Sequence, residues 1–142
     1  LLLAEDGDGG APPTAEAALV RLAALRPGRV TVVKDGAAGA WGMGVRDAAS
    51  GEPPGAPARS ADPNAPAWVP APSVDAIDAT GAGDVFDAGF LDAWWAGEPL
   101  DACLHRGAWC GARATTAYGG ATAAPTRAQL DALWRDDSGG TT

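Results

Sequence analysis

The segment D-A-T-G-A-G-D at residues 78–84 combines glycines with a carboxylate at the start of a predicted helix. A Gly-Ala-Gly run lets the backbone approach an anion closely, and the first amides of a helix have no partners within that helix. The amides of Gly81, Ala82 and Gly83, together with the positive end of the helix dipole, can therefore form an anion hole. An ordinary glycine-rich helix start has the same pattern, so this run alone leaves both interpretations open.

Asp84 adds a side chain that could take part in chemistry at this helix start. In its simplest role, a first-turn carboxylate stabilises the helix by roughly 0.3–1 kcal/mol. A carboxylate beside an anion hole can also accept the proton of a hydroxyl that attacks a phosphoryl group. The spacing thus indicates a phosphoryl-transfer site with Asp84 as catalytic base, whereas Asp87 is expected to face solvent or an early-turn amide.

The elements that must position these residues alternate between helical and extended patterns. Such alternation favours an α/β sheet. Thr14 is a capping residue before one helix, and the Gly97 position ends the helix that begins at Gly81. The predicted helices cover residues 14–26, 81–97, 99–116 and about 126–134, and the predicted strands cover residues 29–33, 40–45, 68–69 and 74–77. Trp94 and Trp109 fall on apolar helical stripes and are expected in the core, with Trp68 and Trp95 half-exposed.

A chain of 142 residues suits one domain with a hydrophobic core. Residues 50–66 consist mainly of Gly, Pro, Ala and Ser without periodicity, which predicts a flexible loop. We therefore interpret residues 1–142 as a single domain that this loop interrupts.

Charge and hydropathy exclude several classes of function. A net charge of −8 argues against nucleic-acid binding but not against ATP, which local amides and a metal can hold. No apolar run approaches the roughly 20 residues needed to cross a bilayer, so we expect no membrane span and a cytoplasmic protein. P-loop and protein-kinase motifs are absent from the sequence. Cys103, His105 and Cys110 lack zinc-finger spacing, and the cysteines are better interpreted as core thiols.

Three segments together resemble the ribokinase-like, or PfkB-type, carbohydrate kinases. V-D-A-I-D-A-T-G-A-G-D-V-F-D-A-G-F-L at residues 74–91 is similar to the C-terminal signature of that family. V-T-V-V-K-D-G-A-A-G-A at residues 30–40 resembles its nucleotide-lining strand and turn, and residues 114–130 resemble its closing segment. The resemblance covers about residues 14–133. It implies the C-terminal portion of a ribokinase-like layered sheet with flanking helices.

The resemblance also implies an activity and roles for individual residues. The activity is ATP- and Mg²⁺-dependent phosphorylation of a hydroxyl on a sugar or similar alcohol. Asp84 would be the catalytic base, with Gly81, Ala82 and Gly83 forming the anion hole. Lys34, Gly36 and Gly39 would line the nucleotide. Asp78 and Thr80 would help to bind an activating monovalent cation such as K⁺, with backbone carbonyls around Ala114, Ala117 and Gly119 completing that site.

The chain also departs from the family pattern. Ala108 stands where many members have an adenine-side Asn, and L-A-E-D-G-D at residues 3–8 is a degenerate form of the acidic magnesium-associated motif. The sugar-binding N-terminal half and its lid, which commonly forms family homodimers, are not represented, so we expect the chain alone to be inactive. Two alternatives stay open: a non-catalytic nucleotide-binding remnant and a nucleoside kinase.

Overall fold

The computed structural model describes residues 13–44 and 65–137, with side chains up to residue 132. The predicted flexible loop over residues 50–66 lies almost entirely outside the described residues. The acidic segment at residues 3–8 lies wholly outside them. In chain order, the elements are α1 (Ala15–Leu25), β1 (Thr31–Lys34), a 3₁₀ turn (Gly36–Ala38), β2 (Ala40–Met43), β3 (Ala67–Val69), α2 (Ala82–Trp95), α3 (Leu100–Ala114), a 3₁₀ turn (Gly120–Ala123) and α4 (Arg127–Asp137).

The three strands form one antiparallel sheet in the order β1-β2-β3. Lys34 pairs with Ala40, and Ala40 in turn pairs with Val69. Because side chains alternate across a strand, these three residues project from the same face of the sheet. This face carries the main core, in which Ala40 and Val69 pack with Phe86 of α2 and Leu104 of α3. The α/β fold class is confirmed.

Helices α2 and α3 pack together closely because glycines lie at their contact. A Cβ added to Gly89 would lie 2.5 Å from the Sγ of Cys110, and one added to Gly107 would lie 2.9 Å from the ring of Phe86. Neither position has room for a side chain, so the two helix backbones come nearer than larger residues would permit. Cys103 and Cys110 are buried in this region, which confirms the prediction of core thiols.

Most predicted elements are confirmed, and their ends differ by a few residues. The side chain of Thr14 accepts a hydrogen bond from the amide of Ala17, as expected of a helix cap. The predicted strand over residues 74–77 is wrong: this segment is irregular, and the Ile77 amide donates to the carbonyl of Thr115 at 2.7 Å. The end of α3 thus takes the hydrogen bond that a neighbouring strand would have made.

The tryptophans follow their predicted placement only in part. Trp68 is half-exposed, but Trp95 is 74% exposed rather than half-exposed. Trp94 and Trp109 are partly buried rather than fully enclosed. Trp94 stacks on Phe90, which in turn stacks on Phe86, so a row of aromatic rings follows α2.

Candidate active site

A cleft of about 490 Å³ opens between the turn after β1 and the start of α2. Among the described residues that line it, Lys34 is the only charged one, and Ser73 and Thr115 are the only other polar side chains. Most of the other lining residues are small, and Phe86 is the one aromatic residue among the described lining residues. Such a cleft suits a flat apolar group with a charged end. Its lining residues are Lys34, Gly36, Ala37, Gly39, Ala71, Pro72, Ser73, Val74, Ala76, Ala79, Ala82, Gly83, Phe86, Ala108, Gly111, Ala112 and Thr115.

The turn after β1 brings the predicted nucleotide-lining residues to this cleft. Lys34, Gly36 and Gly39 all line it. Gly39 has a φ of 118° and lies so close to the backbone of Val69 and Pro70 that a Cβ would overlap it. A residue with a side chain therefore cannot replace Gly39 without moving the turn away from β3.

The start of α2 forms the opposite wall of the cleft. Gly81 precedes the helix with a φ of 75°, and a Cβ at this position would lie 3.1 Å from the Cα of Gly120. The Ala82 amide donates to the Ala79 carbonyl at 3.2 Å. Among the described residues, no acceptor is found for the amides of Gly81, Gly83 and Asp84. These three amides, rather than that of Ala82, are available to an anion.

Asp84 lies in the first turn of α2, directly after Gly83, and it is not itself among the residues that line the cleft. Its side chain is exposed, and among the described residues its carboxylate accepts no hydrogen bond. It therefore lies within one helical turn of the available amides and can be reached by a molecule entering from solvent. This arrangement suits a proton acceptor next to an anion-binding helix start.

Lys34 and Asp87 form an ion pair that the sequence pattern did not predict. The Nζ of Lys34 lies 3.0 Å from both carboxylate oxygens of Asp87 and donates to the Gly83 carbonyl at 3.2 Å. Asp87 is exposed, as expected, but it is paired with a cation. The residues are 53 positions apart, and only the face of β1 on which Lys34 lies could have suggested the contact.

Asp78 joins the segment before α2 to the segment after α3. Its carboxylate accepts hydrogen bonds from the amides of Thr80 at 2.9 Å and Gly119 at 3.2 Å. A hydrogen bond from the Thr80 side chain, followed by these two amides, lowers the pKa of Asp78 below its ordinary value. The structure thus brings together Asp78, Thr80 and Gly119 of the predicted cation site, and it leaves the carboxylate ionised.

A second charged cluster lies away from the cleft and connects three helices. Arg106 of α3 is buried and donates to the Oδ2 of Asp92 in α2 at 2.8 Å. Arg127 of α4 binds both oxygens of the same carboxylate. Hydrogen bonding from Arg127, together with Arg106, lowers the pKa of Asp92. An arginine within the apolar stripe of α3 was the available sequence signal for this cluster.

No group of three or more His, Cys, Asp and Glu side chains that could hold a metal ion occurs within residues 13–44 and 65–132. Burial raises the pKa of the Cys110 thiol to about 11, which keeps it protonated and unreactive near neutral pH. Over the described residues, no helix has both the length and the apolar character that crossing a bilayer requires.

Comparison with known proteins identifies similar sequences and folds. The profile described as pfkB family carbohydrate kinase matches residues 8–127. The acarbose 7(IV)-phosphotransferase of Actinoplanes sp. is 52% identical over 46 residues, which are 32% of this chain and 15% of that protein.

Two solved structures show how much of a whole protein this fold represents. The aminoimidazole riboside kinase of Salmonella enterica, complexed with aminoimidazole riboside and an ATP analog, is 30% identical with a TM-score of 0.52, over 74% of this chain and 31% of that one. The ribokinase of Thermotoga maritima is 23% identical with a TM-score of 0.57, over 75% of this chain and 30% of that one. The chain therefore spans less than a third of the length of either structure.

Proposed function

Because this chain belongs to the pfkB family of carbohydrate kinases, we propose that it forms the nucleotide-binding and proton-accepting part of an ATP-dependent kinase. The acceptor would be a hydroxyl group on a sugar or a similar alcohol. The chain corresponds to less than a third of the related structures. We therefore expect that the acceptor site, and activity itself, require the part of the enzyme that corresponds to the rest of those structures.

The observation that supports this proposal is the position of the cleft. It brings the Lys34–Gly39 turn and the first turn of α2 together, although these segments are more than 40 positions apart. A nucleoside would lie between the turn and the small residues of α3, with Ala108 leaving room where a larger side chain would contact the base. The phosphates would extend towards the amides of Gly81, Gly83 and Asp84.

The reaction follows from this placement. The hydroxyl oxygen of the acceptor forms a bond to the γ-phosphorus of ATP as the bond from that phosphorus to the bridging oxygen of ADP breaks. Asp84 accepts the hydroxyl proton. The amides at the start of α2 stabilise the negative charge on the equatorial oxygens, which is greatest in the transition state. Ala82 would contribute by its place in the turn, since its amide already donates to Ala79.

The described residues offer no carboxylate cluster for a magnesium ion. Mg²⁺, which kinases of this kind use, would bind the phosphates of ATP, where it neutralises their charge. A monovalent cation such as K⁺ would bind at Asp78 and Thr80. Asp78 and Thr80, next to the Gly119 backbone, offer oxygen ligands beside the start of α2.

A carbohydrate acceptor is the leading candidate because the matching profile is described as pfkB family carbohydrate kinase, and the acarbose 7(IV)-phosphotransferase of Actinoplanes sp. shares 52% identity over the matched segment. A nucleoside is the second candidate, supported by the similarity to the aminoimidazole riboside kinase. Incubation of the complete enzyme with γ-labelled ATP and matched panels of sugars and nucleosides distinguishes them. Transfer only to sugars supports the first candidate, and transfer only to nucleosides supports the second.

The same enzyme preparation also tests whether the protein is a catalyst at all. ATP binding measured by calorimetry together with label transfer to any alcohol supports the kinase. Binding of ATP with no transfer to any acceptor would favour a nucleotide-binding remnant. Failure to bind ATP would contradict both.

A further inference from the structure

Lys34 is placed to meet the charged part of a ligand in the cleft. It ends β1, and the two-residue repeat of the strand directs its side chain to the face covered by α2 and α3. Its Nζ reaches the first turn of α2, where it donates to the carbonyl of Gly83, and lies 5.7 Å from the centre of the Phe86 ring. No other charged side chain among the described residues lines the cleft.

The carboxylate of Asp87 forms an ion pair with the same ammonium group. Both of its carboxylate oxygens lie 3.0 Å from the Nζ of Lys34. The side chains are 40% and 56% exposed, respectively. Exposed ion pairs of this kind are weak, because water and salt screen them. The pair is therefore a contact that a ligand with greater negative charge could displace.

We propose that Lys34 binds the phosphates of the nucleotide and that Asp87 is its resting counter-ion, which the phosphates replace. This inference rests on the proposed function, since it assumes a nucleoside polyphosphate in the cleft. A phosphate group and the Asp87 carboxylate carry charge of the same sign and compete for one ammonium group. Asp87 thereby weakens binding of the polyphosphate, whereas Lys34 strengthens it.

Two substitutions, each of which removes one charge, test whether the phosphates replace Asp87 as the partner of Lys34. They should change the affinity for ATP in opposite directions. The complete chain and its variants are titrated by calorimetry with adenosine, ADP and ATP at one ionic strength. Lys34→Gln should weaken ATP binding by about tenfold to hundredfold, the size of a lost charge-assisted hydrogen bond, and leave adenosine binding unchanged. Asp87→Asn should strengthen ATP binding by about two- to fivefold, the range expected for release of a surface ion pair.

Two further variants exclude simpler explanations. Asp101→Asn, in the first turn of α3 and outside the cleft, removes one negative charge from an exposed position and should leave ATP affinity unchanged. In a Lys34→Gln background, the Asp87→Asn substitution should lose most of its effect, because no ammonium group is left to release.

The outcomes separate this inference from the proposed function. If the wild-type chain binds neither adenosine nor ATP, the proposed function fails and the exchange fails with it. If it binds ATP but Lys34→Gln weakens adenosine as strongly as ATP, Lys34 is a structural residue and the inference alone is overturned. An Asp87→Asn variant that binds ATP more weakly than wild type would also overturn it, since Asp87 would then hold Lys34 in place for the phosphates.

Discussion

The carboxylate of Asp78 accepts a hydrogen bond from the amide of Gly119, 41 positions later in the chain, at 3.2 Å. This contact fixes the segment before α2 against the segment after α3. Gly120, the next residue, consequently lies against Gly81 at the start of the proposed anion hole. The shape of the anion hole therefore depends on a second segment that does not itself contribute to it.

The contribution of Asp78 to the free energy of unfolding should decrease at acidic pH. Because the pKa of Asp78 is lowered in the folded state, its contribution is complete above its ordinary value of 3.8 and is lost as the pH falls through the folded pKa. Asp78→Asn should thus be less stable than wild type at pH 6, and the difference should narrow below about pH 4. Urea unfolding at pH 6 and below about pH 4 measures this difference in stability, with Asp75→Asn as an exposed control. A difference that stays constant with pH would contradict this prediction.

Activity should depend on a monovalent cation if Asp78 and Thr80 form the proposed site. Replacing KCl with choline chloride at equal ionic strength should reduce kcat of the complete enzyme by about fivefold or more, the usual size of a coupling between sites. The Asp78→Ala variant should be slow in both salts. Equal rates of the wild-type enzyme in the two salts would show that catalysis does not depend on the cation.

Gly81→Ala should be more harmful than the same change at Gly28. The two glycines have nearly identical φ values of 75° and 76°, but a Cβ at Gly28 would meet no atom within 4 Å. Gly28→Ala should cost about 1 kcal/mol of unfolding free energy for the left-handed backbone. Gly81→Ala should cost about 2–3 kcal/mol and also weaken ATP binding, since Gly120 must move. Equal losses in urea unfolding would show that the contact with Gly120 is unimportant.

Asp92 should matter far more for stability than Arg127, although the two form an ion pair. Asp92→Ala leaves the Arg106 guanidinium, whose side chain is only 8% exposed, without its carboxylate. Removing one partner of a buried pair typically costs 3–5 kcal/mol, and we expect about 3 kcal/mol here because Asp92 is partly exposed. Arg127→Ala removes a largely exposed partner and should cause a much smaller loss. Similar losses for the two variants would mean that Arg106 does not depend on Asp92.

Helices and strands were predicted correctly where the residues that determine them lie within the element itself. The start of α2 is marked by Gly81 and its end by Gly97, and apolar residues recur at three- and four-residue spacing between them, so these residues predict the helix. The segment at residues 74–77 has extended character, but its Ile77 amide is taken by Thr115. No pattern within that segment records the contact, and the strand prediction failed for this reason.

The candidate site likewise combines residues that are neighbours in the sequence with contacts between distant segments. The glycines and Asp84 lie in one short stretch, so their grouping could be predicted from sequence. The partnership of Lys34 with Asp87 depends on how β1 faces α2. The close packing of α2 against α3 depends on Gly89 and Gly107. Such tertiary geometry cannot be derived from spacing along the chain.

In the proposed reaction, Asp84 accepts the proton of the acceptor hydroxyl while the amides at the start of α2 hold the phosphoryl group. Measurements of kcat and of the ATP dissociation constant for Asp84→Asn in the complete enzyme, compared with wild type and Asp101→Asn, test the role of Asp84. We predict that kcat falls by about 10²–10⁴-fold, as expected for loss of a general base, while ATP binding is nearly unchanged. A variant that retains wild-type kcat would show that Asp84 is not the base.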